Sequence, residues 1–313
     1  MPSANSVRAG QAFVELYVRD KVSGGLARAA ASLKAFSRVA DRVGMQMMRT
    51  GALMAVPIAV AGKAFMGFEK QMAEVSTMLD QPSKNIIALS NGILDASVNF
   101  GRGTDEMTQG LYNILSATVP VEDSLQLLDI SSKAAIAGLS DVGTSAKTIA
   151  GFLNAYQYSV DDASRVSDIL FTTVKRGVIT FADMNQNLGK ISGIASAAGV
   201  SIEELGASIA VVTKNNIPAD ITITGLRTAF AKMIKPAKES ADLFKKIFGI
   251  DMNTQAIEKL GGIIPMLRKI KSMPDSDDVL GILFPDQRAI TAMLPMLHNI
   301  DALQHDLNLM RNS

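Results

Sequence analysis

The sequence has no cysteine and no tryptophan, and only two of its 313 residues are histidine. Without cysteine, a disulfide-stapled secreted scaffold and a cysteine zinc site are excluded. Aromatic side chains make up only 5% of the chain, which disfavours a β-sandwich because strands are enriched in such residues. The formal net charge is +1, so no excess of positive charge supports general nucleic-acid binding.

Apolar residues are abundant instead and make up 48% of the chain, a share that disfavours disorder. They are mainly Ala, Leu, Ile and Val with 17 Met, a composition typical of close-packed helices. The length allows two modest domains or one elongated domain. Residues 1–20 contain no continuous apolar run, so no secretory signal is expected and the chain is predicted to be cytosolic when made.

The N-terminal fifty residues change pattern at a pair of glycines, Gly24 and Gly25. Before them, residues 12–19 alternate in polarity, which predicts a short half-buried strand. After them, apolar residues are spaced alternately by three and four over three heptads, at Leu26, Ala29, Leu33, Phe36, Ala40, Val43 and Met47. This seam predicts a coiled coil or, equally, a helix that packs on its own chain. Residues 1–50 hold eight basic and three acidic side chains, so the helix face suits an anionic surface or is simply solvated.

The most apolar segment follows, and its core residues are Leu53, Met54, Val56, Pro57, Ile58 and Val60. As a helix, residues 51–62 would reach about 18 Å, well short of a ~30 Å hydrocarbon core. Residues 50–68 are long enough to be marginal for a membrane span and contain Lys63 as their only charged residue. Both a buried apolar helix and a membrane-competent segment remain open, and Pro57 is expected to kink either one.

From residue 69 onward the sequence predicts helix after helix. Similar helix starts recur at Pro120, Ser159 and Ser201, at offsets of 39 and 42 residues. Ser159 with Asp162 and Ser201 with Glu204 have the spacing of capping boxes, in which each side chain satisfies a free N–H of the other residue. A two-helix unit repeated about three times would give this spacing. A last amphipathic stretch, with Ile290, Met293, Leu297, Ile300 and Leu307, is expected to be interrupted by Pro295.

These patterns predict an all-α fold: an elongated multi-helix array of helical hairpins, preceded by a short β-strand and a coiled-coil-like helix. The expected divisions are residues 1–25 for the strand and turn, 26–68 for the heptad and apolar helices, 69–247 for the helical module and 248–313 for a C-terminal helical extension.

Residues suited to catalysis or metal binding are few. His298 and His305 are seven residues apart, which on a straight helix is roughly 10 Å and too far to share one metal. No phosphate-binding or dinucleotide-binding glycine motif is present. Acidic pairs such as Glu203 and Glu204 lie in first helical turns, where they offset the helix dipole. The sequence therefore predicts no enzyme, no cofactor and no metal.

The order of these features resembles phage tail tape measure proteins, and in particular their N-terminal minor-tail module. The resemblance covers roughly residues 12–247. It is carried by the segments Pro57 to Phe65, Phe68 to Val75, Ala96 to Met107, Ser167 to Val174, Ala195 to Ala210 and Thr224 to Phe230. The segment Ala195 to Ala210 is the most specific of these. One departure is that the glycine-rich turn before the closing Leu-Arg is replaced here by Asn215 to Pro218.

The resemblance implies a structural protein inside the tail tube that sets tail length and leaves through the tube at infection. Implied partners are the tube protein, tail assembly chaperones, tip or baseplate proteins and further copies in a small bundle. Implied locations are the tail lumen and, during assembly, the host cytoplasm, with membrane contact on ejection. The family's members are commonly longer, so a short tape measure, a degraded prophage copy, a split gene and the module alone all remain open. The alternative is a membrane-active helical protein, a pore or injection factor, that uses residues 50–68.

Overall fold

The structure is a computed structural model that describes residues 57–80, 82–138 and 140–313. Within these ranges the regular structure is helical and no β-strand occurs, which confirms the all-α prediction. The predicted strand at residues 12–19 and the whole predicted seam from Leu26 to Met47 lie outside the described residues. The strand therefore finds no support.

The chain divides into two compact units, Met1–Leu125 and Gln126–Ser313. Helices of the first unit are α1 (Pro57–Ser76), α2 (Pro82–Phe100) and α3 (Thr104–Ser116), and the division falls within α4 (Val121–Ala137). Both α1 and α2 pack on α3, which contributes a buried apolar face that includes Met107, Leu111 and Ile114. Helix α3 begins after Gly103 and carries acidic residues in its first turn, where they offset the helix dipole.

The second unit contains most of the described helices. They are α5 (Val142–Tyr156), α6 (Ala163–Arg176), α7 (Phe181–Ala197), α8 (Ile202–Lys214), α9 (Ala219–Ile234), α10 (Lys238–Phe248), α11 (Ala256–Lys259), α12 (Ile263–Lys271), α13 (Ser276–Leu283), α14 (Gln287–His298) and α15 (Ile300–Arg311). A short 3-10 turn, Val160–Asp162, precedes α6.

Helices in the second unit pack in two rows, in which each helix lies against helices that do not directly follow it in the chain. In one row α5 packs on α7, α7 on α9 and α9 on α14, while in the other row α6 packs on α8 and α8 on α15. The packing of α5, α7 and α9, and of α6 and α8, is that expected for a two-helix repeat, because helices at equivalent places in successive repeats become neighbours. Helices α14 and α15 then extend the two rows. Helix α8 lies against α6, α9, α14 and α15, and nearly all its residues are buried as a result.

The C-terminal helices belong to the same compact unit as the repeats. Two glycines permit this close packing. A Cβ at Gly225 would lie 2.5 Å from the backbone oxygen of Arg288, and one at Gly206 would lie 2.9 Å from Sδ of Met310. The second unit therefore contains both the end of the predicted module and the predicted extension at 248–313.

The prediction that Pro295 interrupts the last helical stretch is wrong. Helix α14 continues through Pro295 and ends at His298, and the break falls at Asn299. Proline removes one backbone donor, but Asn299 retains the following helical bond by donating its N–H to the Pro295 carbonyl at 3.0 Å.

Candidate functional site

One buried carboxylate, that of Glu204, connects two helix starts in the second unit. Its Oε2 atom accepts the backbone N–H of Ser201, and the Ser201 hydroxyl accepts the N–H of Glu204, both at 3.2 Å. This reciprocal pair is the capping box that begins α8. The Oε1 atom accepts the N–H of Ile263, the first residue of α12, at 2.7 Å.

The backbone at Gly262 allows Glu204 to approach α12. Gly262 has φ +118°, a conformation that residues with a Cβ rarely adopt, and a Cβ there would clash with Glu204 Oε1. A glycine is thus required at this position for both reasons. The carboxylate satisfies N–H groups at two helix N-termini, where a negative charge is also favoured by the helix dipoles.

A second carboxylate, Asp306, is fully buried on α15 and is paired with two cations. Its oxygens lie 2.7 Å from Nε of Arg176 on α6 and 2.6 Å from Nζ of Lys214 on α8. The two cations are about one-third exposed, so their charges remain partly hydrated while Asp306 is 0% exposed. A buried carboxylate without such partners would carry a large desolvation cost.

These contacts place α15 in a groove between α6 and α8, lined by Thr173, Arg176, Gly206 and Lys214. At one end of the groove Asp306 meets the two cations. One turn further along α15, Met310 Sδ lies 3.9 Å from the Thr173 hydroxyl and also faces Gly206. The α6–α8 groove thus binds an amphipathic helix through a carboxylate and an apolar side chain four residues later.

An aromatic row lies at the other end of α6. The rings of Phe152 and Tyr156 are stacked with centroids 6.1 Å apart, and those of Tyr156 and Tyr158 are 5.6 Å apart. The guanidinium of Arg165 covers the Tyr158 ring at 4.8 Å and donates to Glu203 at 2.6 Å. Burial raises the pKa of the Tyr156 hydroxyl. That hydroxyl has no hydrogen-bond partner among the described residues.

The predicted caps are located at helix starts, but only one of the two pairs has capping-box geometry. Ser201 and Glu204 form the predicted bonds. At Ser159 the chain enters a 3-10 turn, and the hydroxyl donates to Asp162 Oδ2 at 3.3 Å instead of accepting a backbone N–H. The predicted box there is wrong, because the 3-10 turn places Asp162 at the position just before α6 rather than inside its first turn.

The sequence also predicts a helix cap at Thr180 to Asp183, and a capping box begins α7 there. Thr180 accepts the N–H of Asp183 at 3.1 Å, and Asp183 accepts the N–H of Thr180 at 3.0 Å. Its spacing is the same as that of Ser201 and Glu204, so a search for spacing alone finds both pairs.

The sequence predictions missed Asp306, Arg176 and Lys214. A signal was present for Asp306, which lies in the apolar stripe of α15 between Leu303 and Leu307 rather than on the polar face. An isolated acid in a buried stripe indicates a cation on a neighbouring helix. Arg176 and Lys214 end their helices like ordinary solvated bases, so nothing local marks them.

The apolar segment is only partly described. Leu53, Met54 and Val56 lie outside the described residues, whereas Pro57, Ile58 and Val60 are in α1. In the described part of the chain, no helix combines the length and the apolar character that a membrane crossing requires.

His298 pairs with a carboxylate other than the two buried ones, and His305, although it precedes Asp306 in the sequence, is exposed. Nε2 of His298 is 2.9 Å from Asp277, and this hydrogen bond lowers the pKa of the Asp277 carboxyl. Both side chains are about half exposed, and His305 is exposed on α15. The described residues contain no group of three or more His, Asp or Glu side chains arranged to hold a metal ion.

Comparison with known proteins identifies a family. Residues 84–284, more than half of the chain, match the model of the family described as phage-related minor tail protein. The chain is 31% identical to the probable tape measure protein of Clostridium phage phiCD119 over 152 residues, which are 47% of this chain and 16% of that protein. It is 22% identical to the tape measure protein of Pneumococcus phage Dp-1 over 207 residues, or 66% and 18% of the two chains.

A third relative is the probable tape measure protein of Escherichia phage P2, 21% identical over 233 residues, or 74% of this chain and 28% of that protein. The chain therefore spans less than a third of the length of each of these relatives. No solved structure matches it.

The fold and the buried carboxylates define an all-α protein built from rows of packed helices joined through polar contacts at their ends. The sequence match over residues 84–284 identifies the family of this all-α protein. The chain belongs to the phage-related minor tail proteins, and the resemblance to tail tape measure proteins is confirmed by its relatives.

Proposed function

We propose that this chain is the N-terminal module of a tail tape measure protein, with a structural role in tail assembly. The observation that carries the proposal is the family match over residues 84–284, together with three relatives that are named tape measure proteins. Tail-length determination inside the tube is proposed for the whole tape measure protein. The present chain spans at most 28% of any of these relatives and would supply one module of it.

The contacts within the second unit support a scaffold role. Glu204 and Asp306 connect segments that are 59 to 130 residues apart in the sequence. Such contacts hold the helical rows in one arrangement and so would present the same outer surface in every copy. A fixed surface is what repeated assembly against identical tube subunits requires.

The proposed partners are the tail tube protein, tail assembly chaperones and tip or baseplate proteins. Self-association into a small bundle of copies is also proposed, with location in the tail lumen and, during assembly, in the host cytoplasm. The role is structural rather than enzymatic, with no cofactor and no specific nucleic-acid binding.

The test is an in-frame deletion of the gene in the phage or prophage that carries it, followed by negative-stain electron microscopy of the particles. We expect no tails, or tubes of uncontrolled length, and recovery on complementation with the intact gene. Complementation with an Asp129→Asn variant should restore normal tails as well, because Asp129 forms only an exposed pair with Lys133 on the same helix. Tails of normal length and number after deletion would overturn the proposal.

A further inference from the structure

An apolar heptad stripe runs without interruption through α14 and α15, although the chain breaks between them. The stripe consists of Ala289, Met293, Met296, Ile300, Leu303, Leu307 and Met310, all buried and spaced alternately by four and three residues. Such spacing is the pattern of one continuous helix with a single apolar seam. The local pattern therefore favours a straight helix over residues 287–311, and the tertiary structure bends it.

The bend depends on a single residue, Asn299, with φ −118° and ψ 41°. Helical bonds persist on both sides, since the Asn299 N–H donates to Pro295 and the Leu303 N–H donates to the Asn299 carbonyl at 2.9 Å. The Asn299 side-chain amide also donates to the Pro295 carbonyl at 2.8 Å. A change of φ and ψ at this residue to their helical values, near −63° and −42°, would join the two helices.

Helix α15 is held mainly by the α6–α8 groove and makes few contacts with α14. Its Asp306 pairs with Arg176 and Lys214, and its Met310 faces Thr173 and Gly206. None of these contacts involves α14. If α15 left its own groove on a straightened helix, an identical groove on another copy could re-form all of them.

We propose that α15 exchanges between two copies of this chain, each inserting the helix into the α6–α8 groove of the other when Asn299 straightens. The occupant of the exchanged groove is a second copy, because the groove matches a carboxylate followed four residues later by an apolar side chain, as α15 supplies. A continuous helix of residues 287–311 would be about 37 Å long and would carry Asp306 away from its own unit. This inference does not depend on the tail role.

The first test measures the oligomeric state of the full chain by sedimentation over a range of concentrations. Asn299→Ala favours a continuous helix, so we expect the dimer association constant to rise roughly five- to tenfold, because both chains of the dimer gain helix propensity. Asn299→Gly disfavours the continuous helix and should lower the association constant below that of the natural sequence. Circular dichroism confirms that both variants fold. Equal association constants for both variants would overturn the proposal.

The second test uses the absence of cysteine, which makes any engineered thiol unique. A Thr173→Cys chain and a Met310→Cys chain are mixed, warmed to allow exchange, and oxidised so that adjacent thiols form a disulfide. Exchange predicts cross-linked heterodimers, because Thr173 and Met310 side chains meet in the groove. A Ser272→Cys chain replaces the Thr173→Cys chain in the control, since Ser272 is exposed.

The cross-link also separates exchange from other association. If dimers form only through the predicted seam at residues 26–47, the yield of cross-link between positions 173 and 310 should not exceed the yield in the Ser272→Cys control. That outcome, or a monomer at every concentration without the cross-link, would overturn the proposal. A cross-link yield that exceeds the control and rises in the Asn299→Ala background would support it.

Discussion

Glu204 and Ile263 are 59 residues apart in the sequence, yet the carboxylate of the first accepts the backbone N–H of the second at 2.7 Å. The same carboxylate also closes the capping box of α8 through Ser201. One side chain thus begins two helices, and the start of α12 depends on a residue in a different helix. Removal of this carboxylate is expected to cost more than loss of an ordinary cap.

The variant Glu204→Ala should lower the free energy of unfolding of the second unit by about 2–4 kcal/mol, since it leaves a buried N–H at Ile263 without an acceptor. Urea denaturation checks the value, and hydrogen exchange of the Ile263 amide should accelerate. The matched control is Asp183→Ala, which removes an exposed box on α7 and should cost only about 1 kcal/mol. Equal losses in the two variants would contradict a double role for Glu204.

The variant Asp306→Asn should destabilise the second unit by about 1–3 kcal/mol. It removes the buried negative charge, but Arg176 and Lys214 are each about one-third exposed and can hydrate, which limits the cost. Urea denaturation of the full chain measures the change. Asp129→Asn serves as the control, because its exposed pair with Lys133 is worth at most about 0.5 kcal/mol. No difference between the two variants would show that the buried pairs add nothing.

Two glycine-to-alanine substitutions should change the stability of the second unit in opposite directions. Gly225→Ala forces α9 away from α14, because the new Cβ would lie 2.5 Å from the Arg288 backbone oxygen, and a loss of about 1–3 kcal/mol is expected. Gly189→Ala lies in the exposed interior of α7 with nothing within 4 Å, so the better helix propensity should add up to about 1 kcal/mol. Thermal unfolding of both variants decides, and a stabilised Gly225→Ala would refute the close approach.

The variant Tyr156→Phe should be as stable as the natural chain or more stable by about 0.5–1 kcal/mol near pH 8, since it removes a buried hydroxyl without a partner. Burial raises the folded-state pKa of Tyr156 above its ordinary value of 10.0, so below pH 10 the hydroxyl is protonated in both the folded and the unfolded state. As the pH rises above 10, the unfolded state loses this proton first, and the natural chain loses stability.

The advantage of Tyr156→Phe should therefore grow above pH 10, by up to about 1.4 kcal/mol per pH unit. Denaturation of both chains at pH 8 and pH 11 measures the difference. Tyr158→Leu is the comparison, because it removes the ring that the Arg165 guanidinium covers, and loss of that contact should destabilise the chain at both pH values. A constant difference between Tyr156→Phe and the natural chain across this pH range would contradict the buried, protonated hydroxyl.

Sequence patterns located the features that depend on near neighbours in the chain. The helical class follows from composition and apolar periodicity, and the cap at Ser201 follows from a spacing of three residues to Glu204. The offsets between helix starts anticipated the rows in the second unit. The same local reasoning failed at Ser159, where the chain enters a 3-10 turn instead of a capped α-helix, and at Pro295, where the helix continues to His298. In both cases the backbone conformation of the following residues, not the residue type, decided the local structure.

Tertiary structure alone decided the features that join distant segments. The composition and spacing of α15 do not show that Asp306 meets cations 130 and 92 residues earlier, or that α15 leaves the line of α14 at Asn299. By itself the sequence determines an apolar heptad stripe through both helices, because that stripe depends only on local periodicity. The bend is set by the α6–α8 groove, because burial of Asp306 between two cations and of Met310 beside Gly206 requires a partner surface that no local pattern contains.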